Sequence, residues 1–183
     1  MRTEDLAKLF VNLAFINGAL AFVFTFPILF PSLCIATPPG AFGCKATMDV
    51  VWPGTWVLVA WLVFAIVGPL GSMYFGAMYY FADKLSNKAS ANKMLGWLHA
   101  LVYEIGILGS TGMMAAIGFV GGTWVAQGGN AIVASQVIRD MLPYFSNDPS
   151  NLLYDLPPLV EGVFIGVALL GVLIGFLSYL NLE

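Results

Sequence analysis

The sequence predicts an all-α, polytopic membrane protein: a bundle of four transmembrane helices with a short amphipathic helix on its outer face. Of the 183 residues, 60% are hydrophobic and only 9% are charged, whereas a soluble domain carries roughly 25% charged residues. The apolar residues fall in long blocks, and about 20 apolar residues are needed to cross a hydrocarbon core of about 30 Å. The blocks are too continuously apolar for the alternating pattern of a membrane barrel.

Four apolar segments form the single predicted domain, residues 1–183. They cover residues of about 9–30, 55–81, 94–120 and 158–180. Pro27 and Pro31 mark the end of the first segment, and Pro69 should kink the second because proline removes a backbone N–H from the helix. Glu4 and Asp5 lie too early for a signal peptide, so we expect the first segment to be an uncleaved helix.

The connection that follows the third segment, 121–156, holds the predicted outer-face helix. Its stretch GGNAIVASQVIRDMLPYF has apolar residues spaced near one helical turn. This pattern is typical of an amphipathic helix that lies on a membrane surface. A helix that caps the bundle or contacts a partner subunit would show the same pattern, and the sequence does not separate these alternatives.

The lysines and arginines predict which side of the membrane each connection faces. Five of them precede the first segment or follow the second: Arg2, Lys8, Lys84, Lys88 and Lys93. Only Lys45 and Arg139 lie in the other two loops. Because cytoplasmic loops carry an excess of these residues, both termini should lie in the cytoplasm and the protein in the cell membrane. No basic run is present, so nucleic acid is not an expected partner.

Glu104 lies near the middle of the third segment, where a carboxylate in hydrocarbon is costly. We therefore expect it to face the interior of the bundle. One hypothesis is a proton relay or an ion site. The alternative is a hydrogen-bonded carboxyl that ties helices together, through Asn12 or Asn17 of the first segment. The tie is favoured because no second buried carboxylate is expected to accompany Glu104.

His99 is the only histidine, and Tyr103 follows one turn later on the same helix face. A single histidine cannot form a bis-histidine haem site or a multi-histidine copper site within this chain. His99 paired with a methionine could bind haem b. The favoured alternative is a histidine near the cytoplasmic interface that binds a loop or a lipid headgroup, and a polar contact of His99 and Tyr103 with the bundle interior is the other interpretation. We therefore predict no metal site and no cofactor, with haem b as the alternative.

Cys34 and Cys44 share the first outer loop. Outside the cytoplasm a disulfide is the default interpretation of such a pair, and the short loop that it closes corresponds to a stabilisation of about 2–3 kcal/mol. A metal site that includes Met48 would need a third strong ligand, and no histidine lies nearby.

Glycines four residues apart predict surfaces for close helix packing. The pairs are Gly118 and Gly122, Gly162 and Gly166, and Gly171 and Gly175. Small residues at this spacing let helices approach closely in lipid. The fourth segment thus has surfaces suited to a neighbouring helix, in this chain or in another.

Two stretches, PGTWVLVAWLVFAIVGPLGSMYFGAMYYF and GWLHALVYEIGILGSTGMMAAIGFVGG, resemble a helical hairpin of the haem–copper oxidase catalytic subunit family. In that family a helix ending in a glycine-aromatic-tyrosine segment precedes a short turn and a helix that opens near a histidine. The resemblance covers under a third of the chain, and the family's several metal-binding histidines are reduced to one here. It implies a cofactor-free relative or an accessory subunit, and no ligand residue is carried over.

The expected function is that of a non-catalytic accessory subunit of a multi-subunit respiratory membrane oxidoreductase of the terminal-oxidase type. Such a subunit would pack against other integral membrane subunits, shape the access of lipid or quinone, and support assembly. One alternative is a small proton- or ion-linked transporter that uses Glu104. The other is a membrane electron carrier that binds haem b. The sequence motifs of common soluble enzymes are absent.

Overall fold

The computed structural model describes residues 1–29, 55–126 and 156–182, and the chain is helical throughout most of these ranges. They contain the α-helices α1 (Thr3–Leu29), α2 (Thr55–Ala65), α3 (Ser72–Ser86), α4 (Lys93–Ala126) and α5 (Leu156–Leu180). A π-helical segment, Ile66–Gly71, joins α2 to α3. The same ranges contain one isolated β-bridge, between Arg2 and Ser90, and no strand.

Four helical segments of the described ranges are long and apolar enough to cross a membrane. They are Thr3–Phe26, Trp56–Ser86, Lys93–Phe119 and Gly162–Leu180. This confirms an all-α chain with four helices of membrane-spanning length and composition. The predicted amphipathic helix and the predicted disulfide between Cys34 and Cys44 lie outside the described residues.

The turn between α3 and α4 is shorter than the polar stretch 82–93 suggests. Helix α3 continues to Ser86, and Asn87 then adopts the left-handed conformation with φ 54°. Asn92 caps α4, because its Oδ1 accepts hydrogen bonds from the backbone N–H of Met94 at 3.0 Å and of Leu95 at 3.2 Å. Two asparagines thus end one helix and begin the next, and only residues 87–92 stay outside them.

Contacts divide the chain into two compact units. The first comprises Met1–Ala21, Val63–Gly109 and Phe164–Glu183, and the second comprises Phe22–Leu62 and Ser110–Val163. In the first unit, parts of α1, α3, α4 and α5 supply fully buried side chains such as Phe10, Tyr79, His99 and Ser178. In the second unit, α4 packs against α2 at Gly118, where an added Cβ would lie 2.5 Å from the backbone N of Val57.

Both ends of the described chain and the turn between α3 and α4 lie at one end of the first unit. The terminal ammonium of Met1 donates to the carbonyl of Ala91 at 3.0 Å, and Thr3 Oγ1 donates to the carbonyl of Lys88 at 2.8 Å. Lys88 Nζ in turn donates to the carbonyl of Leu182 at 3.2 Å. The segments before α1, between α3 and α4, and after α5 therefore lie at the same end of the first unit.

Pro69 lies within the π-helical segment, at the position where the sequence predicts a kink. Tyr103 of α4 reaches this segment, and its hydroxyl donates to the carbonyl of Val67 at 2.8 Å. Gly71 leaves the space for that hydroxyl, because a Cβ added there would collide with Tyr103 Oη. A neighbouring helix thus supplies a donor to backbone that proline has disturbed, as intramembrane helix breaks require.

Gly71→Ala should destabilise the protein by about 1–3 kcal/mol, because the added methyl group displaces the Tyr103 hydroxyl. The same change should cost less in a Tyr103→Phe background, which lacks the colliding oxygen. The matched control is Gly18→Ala in α1, where no described atom lies within 4 Å of the new Cβ. The measurement is the free energy of unfolding in mixed detergent micelles. Equal losses for Gly71→Ala and Gly18→Ala would contradict the contact.

Candidate functional site

Three polar side chains meet between α1, α3 and α4 and form the Asn17–Ser72–Glu104 cluster. Asn17 Nδ2 donates to both carboxylate oxygens of Glu104, at 3.0 Å to Oε1 and 3.1 Å to Oε2, and lies 3.2 Å from Ser72 Oγ. Ser72 Oγ donates to Glu104 Oε1 at 3.0 Å. Each member therefore provides a hydrogen-bond partner for the other two, which is the condition for keeping polar groups in an apolar interior.

Burial differs across the cluster. Asn17 is 1% exposed and Ser72 is fully buried, whereas Glu104 is only half-buried. The sequence analysis names Asn12 and Asn17 as candidate partners of Glu104, and in the structure Asn17 makes the hydrogen bonds. Asn12 is exposed instead and lines a groove between α1 and α3. The cluster holds one ionisable group, so it ties three helices together without providing a second carboxylate to which a proton could pass.

The π-helical segment explains why Ser72 faces the cluster. Buried positions advance by four residues through it, at Phe64, Gly68 and Ser72. They then return to the ordinary α-helical spacing at Phe75 and Tyr79. A π turn holds more residues than an α turn, and it thereby shifts the buried face of the helix around its axis. Pro69 lies in this π-helical segment, which determines which residues of α3 face Glu104.

His99 lies in an aromatic pocket of the first unit. Its side chain is fully buried, and its Nδ1 is 3.0 Å from the hydroxyl of Tyr79. The rings of Phe10 and Phe75 both lie 4.5 Å from the His99 ring, and Tyr103 lies 6.3 Å away. The described partner of His99 is therefore an interior side chain, Tyr79 of α3.

Helix α5 closes this pocket at a glycine. A Cβ added at Gly175 would lie 2.5 Å from both Nε2 and Cε1 of His99, so the helix backbone packs directly on the ring. An iron atom bound to Nε2 would need the space that Gly175 fills, while Nδ1 faces Tyr79. The residues around His99 therefore do not fit haem b. In the part of the chain that the structure describes, no group of three His, Cys, Asp or Glu side chains could hold a metal ion.

Helices α4 and α5 approach closely along four successive contacts, each made at a glycine. The facing pairs run in opposite directions along the two helices: His99 with Gly175, Tyr103 with Gly171, Gly106 with Ala168, and Gly109 with Phe164. At one end, Gly175 of α5 accommodates the His99 ring and Gly171 the backbone of Tyr103, and at the other end Gly106 and Gly109 of α4 accommodate α5. This arrangement is the close helix approach that small residues allow.

The predicted packing glycines fall into three groups. Gly171 and Gly175 lie in the contact between α4 and α5, and Gly118 contacts α2 in the second unit. Gly162 and Gly166 have no described atom within 4 Å of an added Cβ. Gly122 lies in α4, beyond the residues whose surroundings are described. Gly106 and Gly109 also lie in the contact with α5, but they are three residues apart, so the four-residue spacing does not include them.

Gly175→Ala should destabilise the protein by about 1–3 kcal/mol, because the new methyl group would overlap the buried His99 ring. Gly166→Ala lies on the same helix with no described neighbour, so it should be neutral or slightly stabilising through its higher helix propensity. Thermal unfolding of the two purified variants in one detergent measures the difference. A Gly175→Ala variant as stable as Gly166→Ala would show that α5 does not pack on His99 in this way.

No family model matches the chain, and no match is found among curated proteins or solved structures. Its function must therefore follow from its own residues and their arrangement.

Proposed function

We propose that the chain is a multi-pass integral membrane protein that serves as a non-catalytic accessory subunit of a larger membrane complex. The observation that carries the proposal is that Glu104 and His99 each bind a polar side chain of another helix, while the other ring nitrogen of His99, Nε2, is buried without a hydrogen-bond partner among the described residues. The carboxylate of Glu104 accepts from Asn17 and Ser72, and Nδ1 of His99 lies in hydrogen-bond contact with Tyr79. A catalytic or transport site needs polar groups available to a substrate, whereas these groups join helices.

The outward-facing surface supports insertion into a membrane. Large apolar side chains are exposed on the outer faces of the long helices, among them Phe15, Leu70 and Leu169. Soluble monomers rarely expose extended apolar surface of this kind. Four candidate spans, whose connecting turn and flanking ends meet at one end of the first unit, agree with a multi-pass topology. We propose that this end, which carries most of the basic residues, faces the cytoplasm.

The outer face of α5 is the proposed contact with another subunit. Gly162 and Gly166 are four residues apart and have no described neighbour at the position of an added Cβ. Exposed side chains of Val163, Ile165 and Leu169 flank them. A notch of small residues bordered by aliphatic side chains suits the close approach of a transmembrane helix.

The narrower form of the proposal is a subunit of a respiratory oxidoreductase of the terminal-oxidase type. It rests on the resemblance of the hairpin formed by α2, α3 and α4 to a hairpin of the haem–copper oxidase catalytic subunit family. In such a complex the chain would support assembly and shape the access of lipid or quinone. The catalytic cofactors would belong to other subunits.

A second candidate function, a small ion-linked transporter, is favoured by the half-burial of Glu104. The Asn17–Ser72–Glu104 cluster covers one side of the carboxylate and leaves part of it exposed. Transport across so small a bundle would require an oligomer of this chain. The oligomeric state of the native protein therefore distinguishes the two functions.

Purification of the tagged full chain from native membranes in a mild detergent should yield a complex that contains other integral membrane proteins, identified by mass spectrometry. Gly166→Leu should release the chain from that complex, because the larger side chain fills the proposed notch. Gly112→Leu is the matched control, since its added Cβ also meets no described atom but lies on α4. A chain that purifies alone as a stable homo-oligomer would contradict the accessory role and favour transport.

A further inference from the structure

A groove of about 350 Å³ runs between α1 and α3 in the first unit. Its polar lining comes from Glu4, Lys8, Asn12 and Tyr80. The helices come close at its floor, where a Cβ added at Gly76 would lie 3.1 Å from Val11 Cγ2. Most of the groove wall is therefore apolar, and charged groups lie at one end only.

The polar groups of the groove follow one another at intervals of one helical turn. Glu4 and Lys8 form an exposed ion pair, with Lys8 Nζ 2.7 Å from Glu4 Oε1. Asn12, one turn deeper, is exposed and makes no hydrogen bond to any residue that the structure describes. Tyr80 on α3 is 49% exposed. The exposed amide of Asn12 thus lies within an apolar candidate span, one helical turn from the Glu4–Lys8 ion pair.

This order of groups matches a phospholipid. A headgroup phosphate can bind Lys8, a headgroup ammonium can bind Glu4, and the ester carbonyls below them can accept from the Asn12 amide. One turn of helix rises about 5.4 Å, which is comparable with the separation of these parts of a lipid. The acyl chain would then lie along the apolar floor at Gly76 and Ala77. The Glu4–Lys8 pair is exposed and therefore weak, so a headgroup can open it.

We propose that the groove between α1 and α3 binds one diacyl phospholipid with a zwitterionic headgroup that carries a primary ammonium, as in phosphatidylethanolamine. The phosphate of such a headgroup can bind Lys8 and its ammonium can bind Glu4, whereas the net negative charge of an anionic lipid would be repelled by Glu4. An apolar partner helix in the groove would leave the Asn12 amide without an acceptor, at a cost in hydrocarbon. The site rests on the proposed membrane location of the chain and not on its accessory role.

The test is a lipid titration of the purified, delipidated full chain, followed by native mass spectrometry. The probes are dioleoyl phosphatidylethanolamine, phosphatidylcholine, whose ammonium has no N–H to donate, and the anionic phosphatidylglycerol. We expect phosphatidylethanolamine to bind most tightly. Lys8→Gln and Glu4→Gln should each weaken it about fivefold, the effect of losing one exposed ion pair. The control is Lys84→Gln, which breaks the Lys84–Asp83 pair at 2.7 Å, in which Lys84 is exposed and Asp83 largely buried, and which lies outside the groove.

Equal binding of the three lipids, a preference for the anionic lipid, or equal losses in Lys8→Gln and Lys84→Gln would each overturn the proposal. The exchange Glu4→Lys with Lys8→Glu retains both charges but reverses their order along α1, so it should lose the preference for phosphatidylethanolamine. Retention of the preference in a folded exchange variant would also overturn the site. Displacement of bound lipid by a co-purifying protein chain would show that a partner helix occupies the groove instead.

Discussion

The hydrogen bonds between Asn17, Ser72 and Glu104 are the constraint on which the first unit depends. Helices in hydrocarbon gain little from burying apolar side chains against one another, so polar contacts and close packing determine their arrangement. The three side chains come from three helices and meet at distances of 3.0–3.2 Å. A slide of any helix by one residue would leave a polar group without a partner. Each bond contributes only about 0.6 kcal/mol on average, so the cluster specifies the helix register more than it adds stability.

The cluster joins α1, α3 and α4, and packing between α4 and α5 adds the fourth helix of the first unit. Tyr103 illustrates the connection, because its hydroxyl binds the carbonyl of Val67 while its backbone packs against Gly171. One turn earlier, His99 also contacts two helices: its Nδ1 lies 3.0 Å from the hydroxyl of Tyr79, and its ring packs against Gly175. Two consecutive turns of α4 therefore join the π-helical segment and α3 to α5. The interior is filled by side chains that hold helices, which is why an assembly role follows more directly than a chemical one.

The sequence predicts the all-α class and the four long helices because apolar block length alone determines them. It also predicts that Glu104 needs a polar partner, and Asn17 was one of two candidates in α1. It could not show that Pro69 would sit in a π turn that brings Ser72 inward, since that shift depends on contacts with α4. The sequence does not identify the partner of His99, because Tyr79 lies on another helix, 20 residues away in the chain. Such distant pairings leave no local pattern.

The coupling between Asn17 and Glu104 tests the central claim most directly. Unfolding free energies of Asn17→Ala, Glu104→Ala and the double variant, measured in lipid-containing micelles, give the interaction energy of the pair. We expect a coupling of about 1 kcal/mol, within the range of intramembrane hydrogen bonds. The control cycle uses Asn12→Ala with Glu104→Ala and should give a coupling near zero, because Asn12 lines the groove. A coupling near zero for Asn17 and Glu104 would contradict the claim that this cluster sets the helix register.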